Sequence, residues 1–317
     1  MKLEKNTKFL LDTDIGSDVD DAFALLALLK LVPERLIGVT TAYGCAELRA
    51  KIAKKLIETT GHNIPVVAGE SSPLSSPQPI HLTGREGFGV LTEEEREKPL
   101  EAFGIETNAP EFIVKQVTSN HEEVILICIA PLTNIARAIE LEPKLGKYLK
   151  GLFFMGGGIT FDSPTPKELR AGQTYRAIPS YNVEHDVEAA KKVISSIPQI
   201  HFITNDVTLH TKFARKRVEK FLRKKKNRAE ALVANMLRVW LNYRSELFGF
   251  PVRVTYLHDV LTVAEALGMG FVSYVQGEVE VTDRGETLFT VGSGNHLVGH
   301  QIDRLSFLNW ISELFLN

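Results

Sequence analysis

Short apolar runs alternate along this chain with amphipathic segments. Residues 9–12 (FLLD), Leu36–Thr41 (LIGVTT), 65–68 (PVVA), 124–129 (VILICI), 152–155 (LFFM) and 200–204 (IHFIT) read as strands. Most are apolar on both faces, which is the pattern of strands buried inside a parallel sheet. Between the first two, Asp20–Leu31 carries Ala22, Leu25, Leu26 and Leu29 at helical spacing. Residues 48–60, 109–119, 134–140 and 187–195 repeat that helical pattern. Strand, helix, strand repeated this often predicts an α/β fold. It would be a single domain over residues 1–317, built on a mostly parallel central sheet flanked by helices. Residues 275–317 read as a β-ribbon about Gly285 followed by a C-terminal helix. Two segments break the rhythm. Residues 71–79 (SSPLSSPQP) form a turn-rich loop, and 156–179 is long and rich in Gly, Pro and Thr. Long loops in compact domains are often functional, and the glycines of the second would permit a lid.

Composition narrows the function classes. Hydrophobic residues make up 44% of the 317 and charged residues 24%, as in soluble globular proteins. No run approaches the roughly 20 apolar residues that cross a bilayer, so no membrane partner is expected. A net charge of −2 argues against nucleic acid, whose phosphates call for a concentrated basic face. The basic run at 212–228 reads as a solvated helix face. Cys45 and Cys128 are too few for a disulfide framework or a zinc site. The N-terminus holds no stretch long enough for a signal-peptide core, and a reduced, cytoplasmic location is the default.

The strongest local signal is Asp12-Thr13-Asp14-Ile15-Gly16-Ser17-Asp18-Val19-Asp20-Asp21, directly after an apolar strand and before a helix. Like charges this close repel unless a cation neutralises them. A helix N-terminus favours one or two carboxylates, not five. Oxygen-only donors in this number suit a hard cation such as calcium, although the spacing is not that of an EF-hand loop. The fragment Asp12-Thr13-Asp14 alone also fits the opening of haloacid dehalogenase-type phosphatases; the rest of the chain decides against them.

Other motifs follow in order. They are Val39-Thr40-Thr41 with Tyr43-Gly44, Ile64 to Gly69 (IPVVAG), Ala130 to Ala136 (APLTNIA), Met155-Gly156-Gly157-Gly158, Tyr181-Asn182 with Asp186 to Ala190 (DVEAA), Asp206-Val207-Thr208 and His258-Asp259. With the acidic loop, the set resembles the inosine–uridine nucleoside hydrolase family, collinearly from end to end. The resemblance implies a Rossmann-like single domain, usually in homodimers or homotetramers, that cleaves the N-glycosidic bond of a nucleoside. It also implies one Ca2+ held by Asp14, Asp21, Asp259 and the backbone carbonyl of Thr133. Asp14 would take a proton from a metal-bound water. Asp20 and Asn182 would hold sugar hydroxyls with Met155 beside the substrate, and His258 would serve as acid for the departing base. Trp240 and Tyr243, three residues apart on an expected helix, are candidates for stacking on that base.

The chain also departs from the family pattern. Its acidic loop is two residues longer, which leaves Asp18 unassigned. Cys45 stands where an Asn is usual, Ser180 where a sugar-binding Glu is usual, and Thr83 near the place of a His. The long loop contains no Asn and offers Glu168, Arg170 or Gln173 instead. Two alternatives therefore stand beside ribonucleoside hydrolysis: a hydrolase of a modified or non-standard N-riboside, and a calcium-binding protein that holds a nucleoside or sugar with little catalysis.

Overall fold

The structure is a computed structural model that describes residues 3–160, 168–224 and 227–317. Its strands are β1 Lys8–Thr13, β2 Leu36–Thr41, β3 Val66–Ala68, β4 Glu106–Thr107, β5 Val124–Cys128, β6 Gly151–Met155, β7 Thr174–Ala177, β8 Ile200–Ile203, β9 Lys212–Phe213, β10 Thr255–Tyr256, β11 Val272–Val281, β12 Thr287–Val291 and β13 His296–Ile302. Among the described residues, eleven of them form one sheet in the order β4-β3-β2-β1-β5-β6-β8-β13-β11-β12-β7, and β9 and β10 form a separate pair. Neighbours from β4 to β13 run parallel. The last three strands turn antiparallel.

Period-two alternation sorts the sheet's side chains into two cores. From β1, Phe9 and Leu11 enter one cluster and Leu10 the other. Helices Asp20–Leu31, Arg228–Phe248, His258–Ala266 and Arg304–Leu316 bury residues in the first cluster. Phe23 sits at its centre, with ring centroids 4.9 Å from Phe221, 5.1 Å from Phe315 and 5.7 Å from Phe213. Helices Ala109–Ser119, Thr133–Leu141 and Val187–Ser196 cover the opposite face. Two covered faces explain why the strands read as continuous apolar runs. None of the described helices is long and apolar enough to cross a membrane.

Strand β1 has β2 on one side and β5 on the other. The chain first builds outward through β2, β3 and β4, then returns to build the other half from β5. Such a reversal opens a crevice at the carboxyl ends of the strands, where ligands bind in open α/β sheets. Asn134, fully buried beside this crevice, ties its edges together. Its Nδ2 donates to Asp12 Oδ1 at 2.7 Å and to the Thr41 carbonyl at 3.1 Å, while its Oδ1 accepts from the Glu70 N–H at 2.9 Å. Gly69 leaves the room for that amide, since a Cβ there would lie 2.3 Å from Asn134 Oδ1.

The expected elements all form, with ends shifted by a residue or two. The segment 156–179 differs more. It contributes β7, one of the two edge strands of the sheet, paired with β12 through Ala177↔Thr287. Its four residues show little apolar pattern because an edge strand buries only part of one face. Residues 161–167, part of the expected lid, lie outside the described residues. In the basic run, Arg215–Arg223 forms a helix that buries only Val218 and Phe221, as a solvated face should.

Replacing Asn134 by Ala should cost about 2 kcal/mol, because it leaves the Glu70 N–H without its acceptor and takes a donor from both Asp12 and the Thr41 carbonyl, which keeps only the Gly69 N–H. Urea unfolding will show a lower midpoint with an unchanged slope. An unchanged midpoint would mean that the amide is not the joint described here.

Candidate active site

The crevice is a cavity of about 470 Å³ at the ends of β1, β5 and β6. Asp14, Asp18, Asp20, Asp21, Asp259, Ile129, Met155, Asn182 and His258 line it. Helix Arg228–Phe248 adds Trp240, Tyr243, Arg244 and Leu247.

Strand β1 ends at Thr13, and the chain turns through Gly16 at φ +123°, a conformation that side-chain-bearing residues avoid. It then enters the helix at Asp20, so Asp20 and Asp21 occupy a first turn whose dipole favours negative charge. Asp259 comes from the first turn of another helix, His258–Ala266, packed against the first. Ligand oxygens of Asp20, Asp21 and Asp259 all lie within 4.8 Å of one another, and each residue is only 4% exposed. The Asp259 N–H donates to Asp20 Oδ2 at 3.3 Å, and the Thr13 hydroxyl donates to Asp21.

Burial and mutual repulsion push these carboxyls up. Asp20, Asp21 and Asp259 lie well above the usual carboxylate range, with desolvation first and neighbouring carboxylates next. Asp18 is pushed up to about 7 by burial. Asp14 rises for the same reason, but Arg49 restrains it. Arg49 is fully buried beneath the loop. Its Nε donates to the Tyr43 carbonyl at 2.8 Å, and its Nη1 donates to the carbonyls of Asp14 and Ile15. Its Nη2 donates to the Ser17 hydroxyl at 3.1 Å. The guanidinium thus fixes the loop backbone and leaves the carboxylates free for the cavity. Asp12, by contrast, is sealed under the site, where burial raises it to about 7 and Thr40 and Asn134 donate to its Oδ1.

Burial drives His258 down to about 4, so its imidazole is neutral near pH 7. Its Nδ1 lies 2.9 Å from the Thr208 hydroxyl, and its place in a first helical turn also disfavours the cation. Asn182 donates from Nδ2 to the carbonyls of Met155, at 3.0 Å, and Ile129, at 3.2 Å. Its Oδ1 remains as an acceptor.

The structure thus brings together Asp14, Asp20, Asp21, Asp259, Asn182, Met155 and His258. Thr133 is not on the cavity wall. It opens the helix Thr133–Leu141, 1% exposed, and its hydroxyl donates to Asp186. The residue after β5 that does line the cavity is Ile129. Asp20, expected at the sugar, joins the tight carboxylate group, while Asp14 lies outside that group on the same cavity. Ser180 is buried and accepts from the Gly157 N–H at 2.7 Å, and Cys45 lines a neighbouring hollow. Thr83 does reach the cavity, together with His81. Arg170 and Gln173 lie exposed near the sheet's outer edge, where Tyr175 Oη donates to Gln173, and neither they nor Glu168 line the cavity. Sequence reasoning missed Ile129, Arg49, His81, Tyr181 and Arg244. None of them carried a sequence signal: Arg49 sits in a mixed-charge helix, and its partners are mainly backbone carbonyls.

Comparison with known proteins agrees with this geometry. The chain matches the family described as inosine-uridine preferring nucleoside hydrolase over residues 9–309. It is 26% identical to the probable uridine nucleosidase 2 of Arabidopsis thaliana, over 90% of this chain and 85% of that one. It is 30% identical to an uncharacterized protein of Schizosaccharomyces pombe, over 88% and 86% of the two chains. Among solved structures, the purine-preferring ribonucleoside hydrolase from Gardnerella vaginalis superposes with a TM-score of 0.76 at 24% identity, covering 98% of this chain and 99% of that one. A chain matched over nearly its whole length, with its acidic motifs gathered at one cavity, belongs to the inosine-uridine preferring nucleoside hydrolase family and is an N-glycosyl hydrolase.

Proposed function

We propose that this chain hydrolyses the N-glycosidic bond of ribonucleosides in a calcium-dependent reaction, releasing free base and ribose. The observation that carries the reading is the group of three buried carboxylates within 4.8 Å at the strand crossover. Burial and mutual repulsion raise all three carboxyls, and oxygen-only donors suit a cation that takes six to eight oxygens. The residues therefore fit a divalent ion. Asp21, Asp259 and Asp14 would hold it, with Asp20 beside them and the Ile129 carbonyl as the backbone oxygen in place of Thr133. A bound divalent cation supplies positive charge that acidifies a neighbouring water and anchors sugar hydroxyls.

In this reading Asp14 takes the proton of the attacking water. Its carboxyl keeps its charge more easily than its neighbours' because Arg49 lies beneath it. Asp20 and the free Oδ1 of Asn182 accept from sugar hydroxyls. As the bond to the base stretches, positive charge grows on the sugar, and the surrounding carboxylates stabilise it. Neutral His258 donates an N–H to the departing base from the ring nitrogen not facing Thr208, rather than delivering a stored proton. Trp240 and Tyr243, stacked at 5.8 Å and 24°, offer the base an aromatic wall. A second reading is favoured by Cys45 and Ser180, which do not line the cavity. With fewer side chains on the sugar, the preferred substrate would be a modified N-riboside.

Two results are expected. With calcium, the protein will release base from at least one member of a panel of ribonucleosides, deoxyribonucleosides and modified N-ribosides. A chelator will stop it, and Asp14→Asn will lower turnover by about a hundredfold or more while leaving the fold intact. Release unaffected by either change would remove Asp14 and the cation from the mechanism; binding without any release would favour a nucleoside-binding protein.

The second result concerns pH. The raised carboxyls bind protons in the folded chain over a range where the unfolded chain, titrating near 3.8, has lost them. Stability of the metal-free protein is therefore full below that range and falls as pH rises toward about 7. A cation replaces those protons, so its stabilisation grows with pH. Calcium should raise the melting temperature more near pH 7.5 than near pH 5. A shift equal at both values would show that ion and protons do not compete.

A further inference from the structure

Arg244 lines the cavity, and the reaction just described does not use its chemistry. It lies one turn from the C-terminal end of helix Arg228–Phe248, with Trp240 one turn before it and Phe248, the last residue of the helix, one turn after. Its guanidinium carbon sits 5.1 Å from the Trp240 ring centroid and 4.8 Å from that of Phe248. Ring contacts of this kind engage the flat faces of a guanidinium and leave its five N–H donors pointing outward in the plane. No hydrogen bond or ion pair joins this side chain to another described residue, and its Nε is buried without a partner. The nearby opposite charge is Asp18, which Arg244 stabilises electrostatically without touching. Both residues line the cavity, together with Trp240 and Tyr243.

A solvated helix arginine would keep its whole fork in water. Here two aromatic rings hold the fork, one donor has lost its water, and the aromatic wall that would stack on the base lies beside it. The arrangement is set for an acceptor that the protein itself does not provide. A guanidinium discriminates strongly among such acceptors. It pairs with carbonyl and carboxylate oxygens and, being unable to accept, leaves an amino group unmatched.

We propose that Arg244 is a specificity-determining residue for the departing base. It selects bases whose edge carries a carbonyl or carboxylate oxygen over those that present an amino group there. The inference rests on the nucleoside-hydrolysing reading and names the substrate class within it.

The test compares kcat/KM for the pairs uridine and cytidine, and inosine and adenosine, with nicotinic acid riboside as the carboxylate case. The wild-type protein, Arg244→Met and Arg244→Lys are assayed with calcium. The wild type should favour the oxo member of each pair. Arg244→Met should shrink that preference by about tenfold or more, through loss on the oxo and carboxylate substrates alone, and Arg244→Lys should recover part of it. Equal losses on every substrate, an unchanged preference, or a wild type that favours the amino members would overturn the role. Binding of free uracil and free cytosine, measured by calorimetry on the same proteins, separates this inference from the one beneath it. If no nucleoside is cleaved, the hydrolase reading fails. Arg244 then still stands if uracil binds more tightly than cytosine and Arg244→Met removes the difference, and falls if it does not.

Discussion

Buried carboxylates repel, and the architecture at the carboxyl ends of β1 and β5 is built around that repulsion. Asp14, Asp20, Asp21 and Asp259 are each no more than 8% exposed, and no lysine or arginine forms an ion pair with any of them among the described residues. Arg49 is buried alongside, yet it spends its donors on backbone carbonyls and the Ser17 hydroxyl. It shapes the loop and softens the field at Asp14 without quenching the site. A scaffold selected for stability alone would pair or remove these charges. Their survival in a fixed geometry is the physical sign that the fold is organised to take up positive charge, in keeping with a metal-dependent hydrolase family.

The sheet makes that geometry affordable. Residues far apart in sequence, at 14, 21, 129, 182 and 259, meet because the chain builds outward from β1 and then returns to β5. Asn134 joins the strand ends with a fully used amide, so the loops carrying the carboxylates hang from a rigid frame. The helix Arg228–Phe248 brings the other half of the site. Its stacked Trp240 and Tyr243 and its unpartnered Arg244 differ in chemistry from the acidic part, as a ligand with a polar sugar at one end and a flat base at the other requires.

What was legible in the sequence follows from how local each signal is. Five aspartates in ten residues violate every packing rule at once, so the acidic loop stood out before any fold was known. Parallel strands announced themselves because both their faces are apolar. Strand β7 did not, since an edge strand has only part of one face to mark it. Thr133 was named for its backbone carbonyl, a group with no side-chain signature, and it is Ile129 rather than Thr133 that lines the cavity. Arg244 was invisible for a related reason. Its meaning lies in the acceptor it lacks, which is a property of three-dimensional surroundings rather than of a motif. The unusual Ser180 proved structural, capping the Gly157 N–H, so its departure from the family pattern concerns the backbone before the sugar.

The account stands or falls on the cation. Calorimetric titration of the metal-free protein with calcium near neutral pH tests it most directly, with Asp259→Asn as comparison. The account predicts one ion per chain, proton release on binding and at least tenfold weaker binding in the variant. Absence of binding, or binding that Asp259→Asn leaves unchanged, would contradict it.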